Sequence, residues 1–193
     1  MQRFTSAVLY VTVCLSLLGC SGKFTSEEFL RQDVDFDSIR RVAVLPFLNH
    51  TSDKYINERI RNVAITQILA NGVADVVDRG IVDSVLYEEV IDPRQPIDLI
   101  NLKRLGQRLN VQAFLLGDVD MVTSNSVGGS SGYPQLGLTI RLVEAQSASI
   151  LWQSSGHWTS ESFVGKMFGI PPSDSYHVNI KLLHNMIESL AKR

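Results

Sequence analysis

Apolar and polar residues alternate along the chain in a pattern that predicts a succession of strands and helices from about residue 40 onwards. Residues 41–47 (RVAVLPF) form a continuous apolar run rich in β-branched side chains, which is typical of a buried strand. Residues 54–70 repeat apolar side chains every three or four positions, which predicts a helix, and Asp53 stands where its N-cap is expected. The same patterns predict a strand at 73–77, helices at 81–90 and up to about 109, a strand at 111–122 and a last helix at 174–191.

An antiparallel hairpin is the clearest pattern in the second half of the chain. Residues 135–143 (QLGLTIRLV) alternate apolar and polar side chains, which indicates a strand that is buried on one face only. Residues 150–159 are expected to pair with this strand across a short turn. The sequence therefore predicts an α/β fold over residues 40–193, a single domain in which about four helices pack on a mixed sheet of about five strands that ends in the hairpin.

Residues 1–19 have the layout of a secretory signal peptide. Arg3 supplies a positive charge ahead of the apolar residues 7–18 (AVLYVTVCLSLL), a stretch that is shorter than the roughly 20 residues a membrane-spanning helix needs. The stretch ends in Leu-Leu-Gly-Cys, and a small residue followed directly by Cys20 resembles a bacterial lipobox. The resemblance implies cleavage after Gly19 and lipidation of Cys20, which would attach the protein to a membrane.

Residues 20–39 are predicted to be the lipidated N-terminus and a tether. They combine acidic side chains with scattered Phe24, Phe29 and Phe36 and show no strong periodicity. A flexible chain of this length spans roughly 25 Å, so the domain is expected to lie close to its membrane. Ser21, rather than Asp, follows the cysteine; by analogy with Gram-negative sorting this favours the outer membrane, with the domain facing the periplasm.

Composition and charge exclude several classes of partner. The chain carries 18 Lys plus Arg against 20 Asp plus Glu, a formal net charge of −2, and has no basic run, which argues against nucleic acid. Of its two cysteines, Cys14 leaves with the signal peptide and Cys20 carries the lipid, so neither a disulfide nor a thiolate metal site is expected. The fold is therefore expected to depend on its apolar core alone.

The titratable residues do not indicate a catalytic site. His177 and His184 stand one heptad apart on the last predicted helix, about 10 Å along its axis, which is too far for one zinc ion. The chain contains no P-loop, dinucleotide fingerprint, nucleophile elbow or zinc-protease motif. We therefore predict a non-enzymatic protein with no cofactor and no metal. If it bound a small ligand instead, the candidate residues would be His50, Asp53, Asp118 and Asp120.

The order of these apolar strings resembles the CsgG/LpoB group of bacterial envelope lipoproteins. The matching strings are residues 41–47 (RVAVLPF), 76–79 (VVDR) and 115–118 (LLGD), followed by a hairpin of the type LTIRLVEA…ILWQ. The resemblance covers about residues 40–193 and implies a lipid-tethered α/β domain that acts through contacts with envelope proteins, including other copies of itself. The group contains the curli export channel, activators of peptidoglycan synthases, and lipoproteins associated with flagella or transporters.

Segment lengths separate these branches. A membrane-spanning hairpin needs roughly 20 residues or more, and the candidate insertions at 123–134 and 160–173 are shorter, so we predict that the protein is not itself a channel. A short tether also argues against reaching an inner-membrane synthase from the outer membrane. The remaining interpretation is an accessory to the assembly or stabilisation of an export, surface-structure or cell-envelope machine. The alternatives are an activator of a peptidoglycan synthase and a small-ligand-binding lipoprotein.

Aromatic side chains near the hairpin form the candidate interface. Exposed aromatics often anchor protein contacts, although the same residues could also cover the sheet. The set consists of Tyr133, Trp152, Trp158, Phe163 and Phe168.

Phe168 lies in an apolar segment with little charge, residues 163–172 (FVGKMFGIPP). Replacing Phe168 by Asp is expected to weaken assembly while the monomer stays folded, because a carboxylate is costly to bury in a protein contact. Size-exclusion chromatography and circular dichroism together measure the two effects. An unfolded variant would instead place Phe168 in the core.

Overall fold

A mixed sheet of seven strands organises the part of the chain that the computed structural model describes, which is residues 23–123, 133–161 and 174–192. The strands are β1 (Lys23–Leu30), β2 (Arg41–Val44), β3 (Leu48–Asn49), β4 (Asp75–Val76), β5 (Ala113–Thr123), β6 (Gln135–Glu144) and β7 (Ile150–Thr159). The helices are α1 (Ile56–Ala70), α2 (Arg79–Glu88), α3 (Leu99–Leu109) and α4 (Ser175–Ala191). This arrangement confirms the predicted α/β class, with more strands than the sequence indicated.

The sheet is parallel in one half and antiparallel in the other. Its order is β1-β7-β6-β5-β2-β4, with β3 beside β5. The strands β2, β3 and β4 belong to parallel pairs, whereas β5, β6, β7 and β1 are each antiparallel to the next. The predicted hairpin is confirmed, with Leu138 opposite Gly156.

Helices cover the two faces of the sheet unequally. α1 and α4 pack on one face and bury a core that reaches from Val42 on β2 to Trp158 on β7. α2 and α3 cover the other face only around the parallel half, where Phe114 and Leu105 are fully buried. The alternation of β6 follows from this difference: Leu136, Leu138, Ile140 and Leu142 face the larger core.

The start of α1 differs slightly from the prediction. The helix begins at Ile56 rather than residue 54, and its N-cap is Tyr55, without a side-chain hydrogen bond, rather than the predicted Asp53. Asp53 instead belongs to the preceding turn, where its carbonyl accepts from the Asn49 side-chain amide at 2.8 Å. The Asp53 carboxylate accepts from the Tyr55 amide at 3.1 Å and pairs with Arg59. Burial acts to raise the pKa of Asp53, but these two hydrogen bonds outweigh it and hold the pKa below its ordinary value.

Glycines allow two close approaches to the sheet. A Cβ on Gly117 would lie 2.6 Å from the ring of Phe47, so the absence of a side chain lets that ring pack directly on β5. A Cβ on Gly156 would lie 2.9 Å from Leu182, which brings α4 close to β7. Both glycines therefore set the distance between the sheet and the chain that covers it.

The first strand corrects the prediction of a tether at residues 20–39. Lys23–Leu30 pairs with β7 along its whole length, from Lys23 opposite Thr159 to Leu30 opposite Trp152. The chain then continues along the domain through a short 3₁₀ turn (Phe36–Ser38) to Ile39, which is buried. The pattern escaped sequence reasoning because the residues of β1 that face the core side mix apolar and polar types: Phe24, Ser26, Glu28 and Leu30.

Two side-chain contacts hold β1 in place. The Trp152 indole donates to the Glu28 carboxylate at 2.8 Å, and the Phe24 ring lies 5.6 Å from the Trp158 ring, centroid to centroid. The aromatic pair excludes water from the edge of the larger core, where such pairs add to the free energy of burial.

Two phenylalanines on opposite faces of β1 test its role in stability. Phe24→Ala removes the contact with Trp158 and is expected to lower the free energy of unfolding by about 1–2 kcal/mol. Phe29→Ala is the matched control; Phe29 is 53% exposed, so its loss is expected to change stability by less than about 0.5 kcal/mol. Urea unfolding measures the loss in free energy of unfolding for each variant. Equal losses would show that the packing of Phe24 on Trp158 does not stabilise the domain.

Candidate functional site: interaction surfaces

The aromatic candidates from the sequence occupy different environments. Trp152 is 0% exposed and Trp158 is 8% exposed, so both serve the core, which is the alternative that the sequence left open. Tyr133 is half-buried just before β6. Phe163 and Phe168 lie outside the described residues, and their place in an interface stays a prediction.

The predicted lipid anchor also lies outside the described residues, since these begin at Lys23. Cys20 and the signal peptide at 1–19 therefore remain predictions. Across residues 23–123, 133–161 and 174–192, none of the helices has both the length and the apolar content required to span a bilayer.

The polar candidates Asp118 and His50 are brought together by the pairing of β3 with β5. The Asp118 carboxylate accepts from Arg141 at 2.5 Å, and the His50 Nε2 lies 3.8 Å from the same carboxylate. Asp120 lies 3.4 Å from the Thr139 hydroxyl. Arg141 therefore balances the charge of Asp118. In the described part of the chain, no three His, Cys, Asp or Glu residues are grouped so that they could hold a metal ion.

The two histidines of the last helix have separate local roles. The His177 amide donates to the Asp174 carboxylate at 2.8 Å, which caps α4, and the His177 ring lies 3.2 Å from the same group. The backbone hydrogen bond, followed by the ring contact, lowers the pKa of Asp174. The His184 ring lies 3.0 Å from the Gln67 side chain of α1. Both histidines are exposed, as the sequence indicated.

A buried arginine that sequence reasoning missed joins α1 to its neighbours. Arg61 is 1% exposed; its Nε and Nη2 donate to the Val44 carbonyl at 3.1 and 2.9 Å, and its Nη1 donates to Asp83 at 2.7 Å. Burial lowers the pKa of Arg61, and Asp83 acts in the opposite direction. The sequence did contain a signal for this burial. Arg61 precedes the buried Ala64 and Ile68 by three and seven residues, so it lies on the apolar face of the helix.

Two adjoining cavities share Pro46 and Pro93 in their walls. The larger, of about 420 Å³, has Phe47 and Arg61 in its wall, and the smaller measures about 260 Å³. The buried Asn57 Oδ1 at the larger cavity has no hydrogen-bond partner among the described residues. The smaller cavity has a mainly apolar wall, whereas the wall of the larger also contains Glu58, Asp83 and Arg94.

The outer side of α2 and α3 exposes several large apolar side chains, and we call it the α2–α3 surface. Ion pairs of Arg104 and Arg108 with Glu89 hold the two helices together at 2.5 and 2.6 Å. Val90 has a φ of +56°, a backbone conformation that is strained for a β-branched residue. The surface consists of Ile81 (53% exposed), Tyr87 (86%), Val90 (91%), Leu99 (43%) and Ile100 (75%).

Comparison with solved structures shows what this fold is similar to. The PelC dodecamer from Paraburkholderia phytofirmans matches with a TM-score of 0.61 and 18% identity, over 89% of this chain and 99% of that chain. Lipoprotein GNA1162 from Neisseria meningitidis matches with a TM-score of 0.52 and 17% identity, over 68% of this chain and 91% of that chain. At these identities the likeness establishes a shared fold.

The predicted LpoB-like character finds weaker structural likeness. The LpoB C-terminal domain from Escherichia coli matches with a TM-score of 0.45 and 14% identity, over 76% of this chain and 92% of that chain, which is too distant to carry an argument. No family model matches the sequence, and no curated protein is significantly similar to it. The fold is shared with lipoprotein GNA1162, while the link to the CsgG branch stays a prediction.

Substitutions of two arginines on α1 test whether the buried hydrogen bonds of Arg61 stabilise the fold. Arg61→Met would leave the buried Val44 carbonyl without its two donors, so we expect a loss of about 2 kcal/mol in the free energy of unfolding. Arg59→Met is the control, because the Arg59–Asp53 pair is partly exposed and is expected to contribute less than about 1 kcal/mol. Thermal and urea unfolding measure the loss in stability of each variant. Similar losses for the two variants would contradict a stabilising role for the buried hydrogen bonds of Arg61.

Proposed function

We propose that this protein is a non-enzymatic, lipid-anchored periplasmic interaction module that assembles with copies of itself and assists an export, surface-structure or cell-envelope machine. The observation that carries the proposal is the α2–α3 surface. Tyr87 and Val90 are almost fully exposed, and Ile81, Leu99 and Ile100 on the same two helices are exposed as well. Soluble proteins seldom expose apolar patches of this kind unless the patch meets another molecule.

The strain at Val90 supports the same interpretation. Val90 takes the left-handed position of the turn that ends α2, a position that glycine usually fills, so a valine there costs free energy that its exposed side chain would recover only in a contact. The Val90 amide donates to the Tyr87 carbonyl at 3.1 Å, so both residues belong to this turn, and tyrosine is among the residues that most often dominate binding energy. The pair therefore has the character of a contact site.

Self-assembly is supported by a protein of the same fold. PelC from Paraburkholderia phytofirmans forms a dodecamer, and its chain is covered almost completely by this one. A closed ring of identical subunits joins two different surfaces of each subunit. The α2–α3 surface would supply one of these two surfaces in every copy. We propose a ring or collar of this type, which does not itself form the channel.

The position of β1 supports action close to the protein's own membrane. The sequence indicated a tether up to residue 39, but residues 23–30 belong to the sheet. The reach from a lipid at Cys20 is thereby shorter than expected, and activation of an enzyme in the opposite membrane becomes the less favoured function. The outer membrane remains the proposed location.

Tyr87→Asp tests the assembly. In membrane-extracted protein, we expect the variant to associate at least about tenfold more weakly than the wild type, because a central tyrosine is replaced by a charge that must be desolvated. Light scattering coupled to size-exclusion chromatography measures the mass of the assembly. Tyr55→Asp is the control: Tyr55 is also exposed, at 69%, but lies outside the α2–α3 surface, and its replacement is expected to leave the assembly intact.

Photo-crosslinking in cells identifies the partner. Probes at Tyr87 and Ile100 are expected to capture other copies of the chain, and a probe at the exposed Gln146 is expected to capture none. A monomeric mass together with capture of a peptidoglycan synthase would overturn self-assembly in favour of the activator function. Capture of neither, with a monomeric mass, would contradict the use of this surface altogether.

A further inference from the structure

Four strands reach the same end of the sheet, which we call the anchor end. Lys23 of β1 lies opposite Thr159 of β7, Thr159 lies opposite Gln135 of β6, and Gln135 lies opposite Thr123 of β5. β1 starts at this end, only three residues after Cys20. The position of the predicted lipid along the chain therefore fixes which end of the domain is closest to it.

The reach of the chain limits the distance between the anchor end and the lipid. Consecutive Cα atoms are about 3.8 Å apart, so the Cα of Lys23 lies at most about 11 Å from that of Cys20. The turn between β6 and β7 lies at the other end of the sheet, about 30 Å away along β6, a strand that rises about 3.4 Å per residue. A helix is about 10–12 Å in diameter, which leaves little room for another protein between the anchor end and the membrane.

Both helices on the larger core also begin at the anchor end. α1 and α4 run in the same direction, because His184 lies beside Gln67 while Gly72 and Leu190, at their C-terminal ends, line one cavity. Leu182 packs over Gly156, which lies three residues from the end of β7. The start of α4 is about 10 Å from Leu182 along the helix axis, and this places it level with the end of β7.

Exposed tyrosines mark the two helix starts. Tyr55, just before α1, is 69% exposed, and Tyr176, in the first turn of α4, is 62% exposed. Lys54 is also exposed. Tyrosine and lysine are the residues that favour the boundary between water and lipid, where the ring enters the headgroup layer and the polar group stays hydrated.

The carboxylates at the two helix starts both have polar partners. Asp53 pairs with Arg59, and Asp174 contacts His177. Each also accepts a backbone amide at the start of its helix. Arg59 therefore offsets the charge of Asp53 where this helix start approaches anionic lipid headgroups.

We propose that the anchor end is seated on the membrane surface itself, with Tyr55 and Tyr176 in the headgroup layer beside the lipid anchor. The strands then stand away from the membrane, and the turn between β6 and β7 points into the periplasm. This inference rests on the lipid anchoring in the proposed function. It assigns a lipid surface, rather than a protein, to the exposed tyrosines of the helix starts.

Three single-cysteine variants test the seating: Tyr55→Cys, Tyr176→Cys and, at the far turn, Gln146→Cys. The lipidated protein is expected to carry no other thiol, so each variant takes one environment-sensitive fluorophore. The labelled proteins are placed in vesicles of phosphatidylethanolamine and phosphatidylglycerol with brominated acyl chains. We expect emission from positions 55 and 176 to shift to the blue and to be quenched at least twofold more than emission from position 146.

The outcomes separate the seating from the anchoring. The intact mass of the membrane-extracted protein shows whether acyl chains are attached, and their absence would overturn both the anchoring and the seating. Attached chains with equal quenching at all three positions would leave the anchoring intact and overturn the seating. Lys54→Cys carries the same test if Tyr55→Cys fails to fold, because Lys54 is exposed and its side chain is not part of the core.

Discussion

The burial of the first residues of β5, Ala113–Leu115, on both faces is the constraint on which the rest of the structure depends. Phe114 belongs to the core under α2 and α3, while its neighbours Ala113 and Leu115 belong to the core under α1 and α4. A strand that is apolar on both sides needs a helical layer on each face. The parallel pairing with β2 follows, because a helical crossover connects parallel strands and supplies one of these layers.

Beyond these residues, helices are needed on only one face of the sheet. The arrangement of the antiparallel half follows from that change. The antiparallel half has helical cover on one face, so its other face carries half-buried polar groups such as Asp118 and Arg141. Pairing of β1 along β7 then completes the sheet on the side that faces away from β5. The domain is thereby divided into a parallel half with exposed apolar helices and an antiparallel half that continues into the predicted anchor.

Sequence patterns predicted the elements whose burial is regular. The alternation of β6 and the stripe of α1 were visible because each has one consistent apolar face. β1 was not visible, since Glu28 faces the same side as Phe24 and is stabilised by a hydrogen bond to a tryptophan 124 residues away. Long-range partners of this kind leave no local trace in a sequence.

The sequence likewise indicated some of the candidate contact residues and missed others. Sequence reasoning found aromatics but could not tell the fully buried Trp152 from an exposed anchor, because both environments favour large rings. Tyr87 and Val90 were not singled out, since their exposure depends on how α2 and α3 pack together. The burial of Arg61 likewise depends on the Val44 carbonyl, which only the three-dimensional arrangement brings within reach.

The pairing of β1 with β7 also has a consequence for the order of folding. β1 pairs with β7, the strand farthest from it along the described chain, and the hydrogen bond from Trp152 to Glu28 closes a loop of 124 residues. Contacts of such long range form late, because the entropy of closing the loop must be lost before they stabilise the chain. In a chain exported N-terminus first, as the predicted signal peptide implies, β1 would stay unpaired until β7 had also been delivered, which makes it the last strand of the sheet to find its partner.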